Sequence, residues 1–302
     1  MTDSVSRSPA ILYKYLPPER VDVVANGLLR YTQLGAFNDP FDGRPHLTAL
    51  GTDEQLRESL ACIIPEENRR AYDMLSEEVR AQVPFEVFSA LAISIAEHGT
   101  PSFMEQMRNV VPSFQDWFHS KMDEHIGVLS LLALPDNLLM WSHYSFGHTG
   151  FVLGFDVQHA YFNSKLSESD ELRHIREVLY REERTQAPLT AMNGVEMFFV
   201  KSAHWAYEQE WRILRPLADA EVTEEVSPFP VHLFRFPDDA LRQVIFGPKM
   251  DHATKRALIA AVTARPGLQH VTFKQATLER ERYALSISNA VIQHYGPPDA
   301  AR

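Results

Sequence analysis

The chain has 302 residues, 45% hydrophobic and 23% charged, which suits one large domain or two small ones with ample core and is too patterned for disorder. Its net charge of −11, with the Arg residues near 69–70 and 173–184 interleaved with Glu, excludes the basic face that sequence-independent nucleic-acid binding needs, though not a small local basic pocket. The single cysteine excludes an internal disulfide and a cysteine-rich zinc site, no apolar run reaches the roughly 18–20 residues that span a bilayer, and the polar stretch 1–9 lacks a signal-type apolar region, so a cytoplasmic location without a membrane partner is expected.

Taken in order, residues 11–15 have strand composition. Pro17-Pro18 opens a short helix with Val21, Val24 and Ala25 as its apolar stripe and Gly27 as its close. Residues 28–34 read as a second strand, and 37–42 (FNDPFD) as a turn in which Asn and Asp bond their own backbone and Pro40 fixes φ. From 46 to 125 the character changes. Thr52 with Gln55 makes a capping-box pattern, and Leu56, Leu60 and Ile63/Ile64 follow at helical spacing. Further helices are expected near 66–82, 84–98 and 103–124, punctuated by Pro84, Gly99-Thr100-Pro101 and Pro112. Cys62 falls on an apolar helix face and reads as core. Strands return at 126–134, then a short helix at 138–144, then 151–155, apolar on both faces as in a buried central strand. A charged helix with a solvated Glu/Arg face is expected over about 168–184. Strands follow at 196–201, 210–215, 231–236 and 241–246, then a turn at 246–249, a helix from 251 to about 264, and late strands at 271–274 and 283–287. The predicted architecture is a single α+β domain over 1–302, with a mixed or antiparallel central sheet and a helical insertion or subdomain at 46–125.

Three segments carry candidate chemistry. In the strand entered at 207–214, side chains alternate, so Tyr207, Gln209, Trp211 and Ile213 share one face and Glu208, Glu210, Arg212 and Leu214 the other, successive members roughly 7 Å apart. Paired carboxylates can divide acid and base roles, because environment and mutual repulsion push their pKa values apart. The plainer alternative is a solvated sheet face; the flanking Trp205 and Trp211 count against it. The second segment sets Ser142, His143 and Tyr144 beside Trp141, with His148-Thr149-Gly150, just ahead of the central strand, where sites gather. Alternatively Trp141 and Tyr144 are core aromatics and the histidines bond to backbone. No G-x-S-x-G elbow supports a serine nucleophile. The first segment offers Tyr13, Lys14 and Tyr15 on a strand, then Arg30 and the turn at 38–42, whose Asp39 and Asp42 either hold a hard metal ion or stabilise the turn. No H-E-x-x-H and no glycine-rich phosphate loop is present.

Together, Leu12-Tyr13-Lys14-Tyr15 with the FNDPFD turn, Trp141-Ser142-His143-Tyr144 with His148-Thr149-Gly150-Phe151, and Trp205 to Arg212 resemble an uncharacterised bacterial family of the domain-of-unknown-function kind, over about residues 11–290. The order of elements is also similar to that of ADP-ribosyltransferases. Those have an opening strand bearing His or Arg, a short helix, a GL strand (here Gly27-Leu28), a middle strand with Ser or Tyr, and a late strand bearing glutamate, often as E-x-E (here Glu208-Gln209-Glu210). Lys14 stands where His is expected, and no Ser-x-Ser/Thr motif is evident. The resemblance implies NAD as substrate, Glu210 as catalytic glutamate and Glu208 as acceptor-side carboxylate, with His143 a further catalytic candidate. Tyr13, Lys14, Tyr15, Arg30, Asn38, Asp39, Ser142, Tyr144 and Arg212 become the dinucleotide-binding candidates. Breaking the nicotinamide–ribose bond builds positive charge on the ribose, which a fixed carboxylate stabilises. The expected activity is ADP-ribosyl transfer to a macromolecular acceptor, or NAD hydrolysis, in a toxin or defence role, with no metal. The alternatives are a metal-dependent hydrolase or nuclease using Asp39, Asp42, Glu208 and Glu210, and a non-catalytic binding module.

Overall fold

The computed structural model describes residues 9–292, so the polar N-terminal stretch lies outside it save for Pro9. The strands are β1 (Ile11–Leu16), β2 (Leu28–Tyr31), β3 (His46–Leu47), β4 (Ile126–Leu132), β5 (Phe151–Asp156), β6 (Arg176–Glu177), β7 (Leu179–Arg181), β8 (Gln186–Ala187), β9 (Val200–Ser202), β10 (Glu210–Pro216), β11 (Val222–Glu224), β12 (Val231–Arg235), β13 (Leu241–Phe246), β14 (Thr272–Leu278) and β15 (Leu285–Asn289). The α-helices are α1 (Asp22–Asn26), α2 (Asp53–Asp73), α3 (Glu77–Gln82), α4 (Phe85–His125), α5 (Leu138–Tyr144) and α6 (His252–Thr263). This is the α+β class. The chain divides into two compact units, one of residues 44–120 with 184–197, the other of the remainder.

The larger unit is built on an eight-stranded sheet in the order β15-β14-β13-β5-β1-β4-β10-β6, antiparallel except where β13 runs parallel to β14. Strand alternation sorts the core. Leu12 and Leu16 of β1, Leu153 and Phe155 of β5 and Ile213 of β10 enter one apolar cluster, while Tyr15 of β1 and Val152 of β5 join Met140 and Trp141 in a second. Because β5 is buried on both faces, its sequence is apolar without alternation, as predicted. A three-stranded sheet, β11-β12-β2, lies in the same unit. Gly27 closes α1 at φ 68°, the left-handed C-cap conformation that glycine adopts without strain. Gly150 is required for a different reason: a Cβ there would lie 2.0 Å from the Leu16 carbonyl oxygen.

In the smaller unit the capping box at the start of α2 is present, the Thr52 hydroxyl accepting from Gln55 N and the Gln55 side chain accepting from Thr52 N. Several expectations are corrected. Cys62 is exposed, because no residue of α2 is fully buried. Pro101 and Pro112 do not punctuate; both lie inside α4, where each removes one rung and the long flanking turns carry the helix through. Residues 168–184 form no helix. Arg176 and Glu177 pair with β10, Leu179–Arg181 pairs with β9, and Ile175 and Val178 are buried, so long-range strand pairing overrides the local helical composition. The strand expected at 196–201 is a 3-10 turn followed by β9. Among the described residues, no helix is long and apolar enough to cross a membrane.

Candidate functional site

A cavity of about 290 Å³ opens where β1 and β4 part. β1 is paired with β5 from Ile11 opposite Asp156 to Leu16 opposite Phe151, but meets β4 only where Tyr13 faces Leu132. Farther along the same edge of β4, Thr32 exchanges both backbone hydrogen bonds with Val128. Ser130 lies between these two points, and by alternation its backbone groups point to the same open edge. Its carbonyl, which no strand reaches, accepts from Lys14 Nζ at 3.1 Å. Lys14 thus stitches the split. Tyr13, Phe37, Asn38 and Tyr144 line the cavity alongside Thr32, and Lys201, Glu208 and Glu210 contribute its charged wall.

Behind that wall sits a buried ionic cluster. Arg212, fully buried, donates from Nε and Nη2 to Glu210 at 2.7 and 2.9 Å, from Nη1 and Nη2 to Asp42 at 2.7 Å each, and from Nη1 to the Phe198 carbonyl. Lys201 donates to Glu208 at 2.5 Å and to Glu210 at 3.0 Å, and lies 3.4 Å from Asp42. Tyr144 donates to the free oxygen of Glu208 at 2.9 Å. Local geometry explains how two glutamates so close in sequence reach one lysine. Gln209 takes the left-handed conformation at φ 47°, ending the 3-10 turn that carries Glu208 and starting β10 at Glu210. Glu208 therefore reaches Lys201 from the turn and Glu210 from the strand.

The two carboxyls are driven apart. Burial raises Glu208, and the charge of Glu210 adds to the rise against the pull of Lys201. Burial would also raise Glu210, but Arg212, then Lys201, outweigh it and hold that carboxyl well below the usual range. Lys201 is held protonated, its burial outweighed by Glu210, Asp42 and Glu208. Burial lowers Lys14 to about 8, with Arg20 and Arg30 contributing and Glu210 opposing. Burial raises the Tyr144 hydroxyl far above its ordinary value, and Glu208 adds to that, so it is a permanent donor to the carboxylate.

The family description "Protein of unknown function (DUF2971)" matches residues 140–213. That stretch is similar to the uncharacterised family and covers about a quarter of the chain. The DUF2971 region supplies Tyr144, Lys201, Glu208, Glu210 and Arg212, while Asp42, Lys14 and Tyr13 reach the site from outside it. No curated protein and no solved structure matches the chain.

The structure gathers Tyr13, Lys14, Tyr15, Asn38, Tyr144, Glu208 and Glu210 around one cavity. Arg212 supports it from behind as the hub of the ion cluster, not from the solvated sheet face weighed as the plainer alternative. Tyr15 is mostly core, its hydroxyl spent on the Leu134 carbonyl and its ring edge-on to Trp141. Ser142 and His143 of the DUF2971 region are exposed and do not line the cavity, since α5 turns Met140 and Trp141 inward instead. Arg30 is half-buried on β2 and also outside the lining. Asp39 accepts from Phe41 N in the turn, and Asp42 is committed to Arg212. The carboxylates of Asp42, Glu208 and Glu210 have Lys201 among them, so a metal ion there would have to displace an ammonium already bonded to two of the three. Among the described residues no group of three or more His, Cys, Asp or Glu is arranged to hold a metal ion. Sequence reasoning missed Lys201 and the Asp42–Arg212 pair. The one signal for Lys201 was a lysine inside an otherwise apolar stretch, FFVKS.

Proposed function

We propose that the cavity binds a nicotinamide dinucleotide and cleaves its nicotinamide–ribose bond, transferring the ADP-ribosyl group to an acceptor or to water. The observation that carries this reading is the carboxylate pair on the cavity wall, one member held ionised and its neighbour able to take a proton. The bond from the ribose C1′ to nicotinamide breaks and its electron pair leaves with the neutral base. Glu210, pinned by Arg212 and Lys201, supplies a fixed negative charge toward the ribosyl cation. The attacking oxygen of water, or the acceptor's nucleophilic atom, bonds to C1′ and passes its proton to Glu208, from which it goes to solvent. Tyr13, Phe37 and Tyr144 offer flat walls on which nicotinamide can stack, and Lys14 offers a donor for a ribose hydroxyl or phosphate. A cavity of this size fits the reacting end of the dinucleotide and leaves the rest to extend from its mouth.

The test is nicotinamide release from NAD by the purified chain, with and without cell lysate as a source of acceptor. Release that drops about 10²-fold in a folded Glu208→Gln variant supports the reading. No release under either condition, together with no thermal stabilisation by NAD, sinks it.

A further inference from the structure

We propose that Lys14, Arg20 and Arg30 form a phosphate subsite at the edge of the cavity, suited to the diphosphate of a dinucleotide. The inference rests on the reading of the cavity just given. Alternation along β2 puts Arg30 and Thr32 on one face, roughly 7 Å apart, while Leu29 and Tyr31 enter the core. Thr32 lines the cavity, so Arg30 extends that wall outward. Arg20 lies in the 3-10 turn directly after β1, whose Lys14 lines the same cavity.

Burial is the main cause that lowers both Lys14 and Arg30, and beyond it Arg20 and Arg30 each lower Lys14 and Arg20 lowers Arg30, so the three cations feel one another. Gathering like charges in this way is unfavourable unless an anion joins them. The chain supplies too little of one. Arg20 pairs with Asp22 in a largely exposed contact, which is worth little. The Arg30 side chain has no hydrogen bond or ion pair among the described residues, and its Nε is buried without a partner. Lys14 commits one N–H to Ser130 and keeps two. Around the cavity, Asp42, Glu208 and Glu210 balance Lys14, Lys201 and Arg212, and Asp22 balances Arg20. Arg30 is left over, in a chain whose net charge is −11. A local cationic surplus on an acidic protein selects a small anion over a long polyanion. Two guanidinium forks and one ammonium suit adjacent phosphoryl groups, each fork taking two oxygens and the ammonium acting as a point charge.

The experiment is calorimetric titration of inorganic pyrophosphate into the full chain at fixed ionic strength, with sulfate as control, for wild type, Arg30→Gln and Arg20→Gln. Nicotinamide release from NAD is measured on the same preparations. Pyrophosphate should bind more tightly than sulfate and weaken about tenfold or more in Arg30→Gln, less in Arg20→Gln, and both variants should raise KM for NAD more than they lower kcat. Should Arg30→Gln fail to fold, the Arg20→Gln variant, at a half-buried position, decides. Equal pyrophosphate affinity in wild type and variants, or no preference over sulfate, overturns the subsite. If nicotinamide release persists in that case, the glycosyl-transfer reading survives it. Arg30-dependent pyrophosphate binding in a protein that never releases nicotinamide would uphold the subsite and remove the reading on which its dinucleotide rests.

Discussion

Replacing the two glutamates separately by glutamine should give opposite outcomes, although the residues are two apart in sequence and share one lysine. Glu210 accepts two hydrogen bonds from Arg212 and one from Lys201, both of them buried cations. A glutamine there keeps one acceptor oxygen and turns an NH2 group toward cations that have only donors to offer. That oxygen cannot serve both cations in full, so either Lys201 is left with Glu208 or Arg212 with Asp42 and the Phe198 carbonyl, and breaking a buried pair from one side costs about 3–5 kcal/mol. Glu208 differs. Its partners are Lys201, which only donates, and the Tyr144 hydroxyl, which can also accept. A glutamine can give its oxygen to Lys201 and its NH2 to Tyr144, whose own proton then turns to the cavity that Tyr144 lines, and burial already opposes the charge of Glu208. The expected stability loss is under about 1 kcal/mol. Urea unfolding of both variants, followed by circular dichroism, measures the difference, and nicotinamide release measures function on the same samples. Glu208→Gln should be stable and inactive, Glu210→Gln destabilised by several kcal/mol. Equal stability losses, or a larger one for Glu208→Gln, would refute the division of roles drawn from the hydrogen bonds.

Three further outcomes follow from the same geometry. Lys14 is held at about 8 in the folded chain against 10.5 ordinarily, so the unfolded chain keeps this proton to higher pH. Stability should therefore rise as pH increases from about 8 towards 10.5, and a Lys14→Met variant should lose that part of the pH profile in urea titrations. Gly150→Ala should lower the melting temperature sharply, since its Cβ meets backbone rather than a side chain that can move; a shift within a degree or two would contradict the close approach to Leu16. EDTA should leave nicotinamide release unchanged, because Lys201 already neutralises the carboxylates a metal ion would need, and loss of activity restored by Mg²⁺ or Mn²⁺ would return the metal-hydrolase alternative.

What the sequence disclosed was local, and what it hid was pairing. Thr52 with Gln55, Gly27 after a short apolar stripe, and the doubly apolar run of β5 each announce themselves within a few residues, because capping, left-handed turns and two-sided burial are local requirements. The alternation of Glu208, Glu210 and Arg212 was half right for the same reason: Glu210 and Arg212 do share a strand face, but Gln209 ends one element and begins another, and a positive φ at a glutamine has no composition signal. His143 and Ser142 illustrate the reverse error. Their chemistry is suggestive, yet a seven-residue helix has to spend its inward face on Met140 and Trp141, which leaves both outside. The decisive contacts, Asp42 to Arg212 and Lys14 to the Ser130 carbonyl, join residues more than a hundred positions apart. Burying five charged side chains together is costly unless each is matched, and the match for the glutamates, Lys201, lies on a separate strand with no local signal of its role. With Arg212 spent on Asp42 and on both oxygens of Glu210, Glu208 still requires a cation in the same volume, and a lysine in the short strand β9 is the group that meets that requirement.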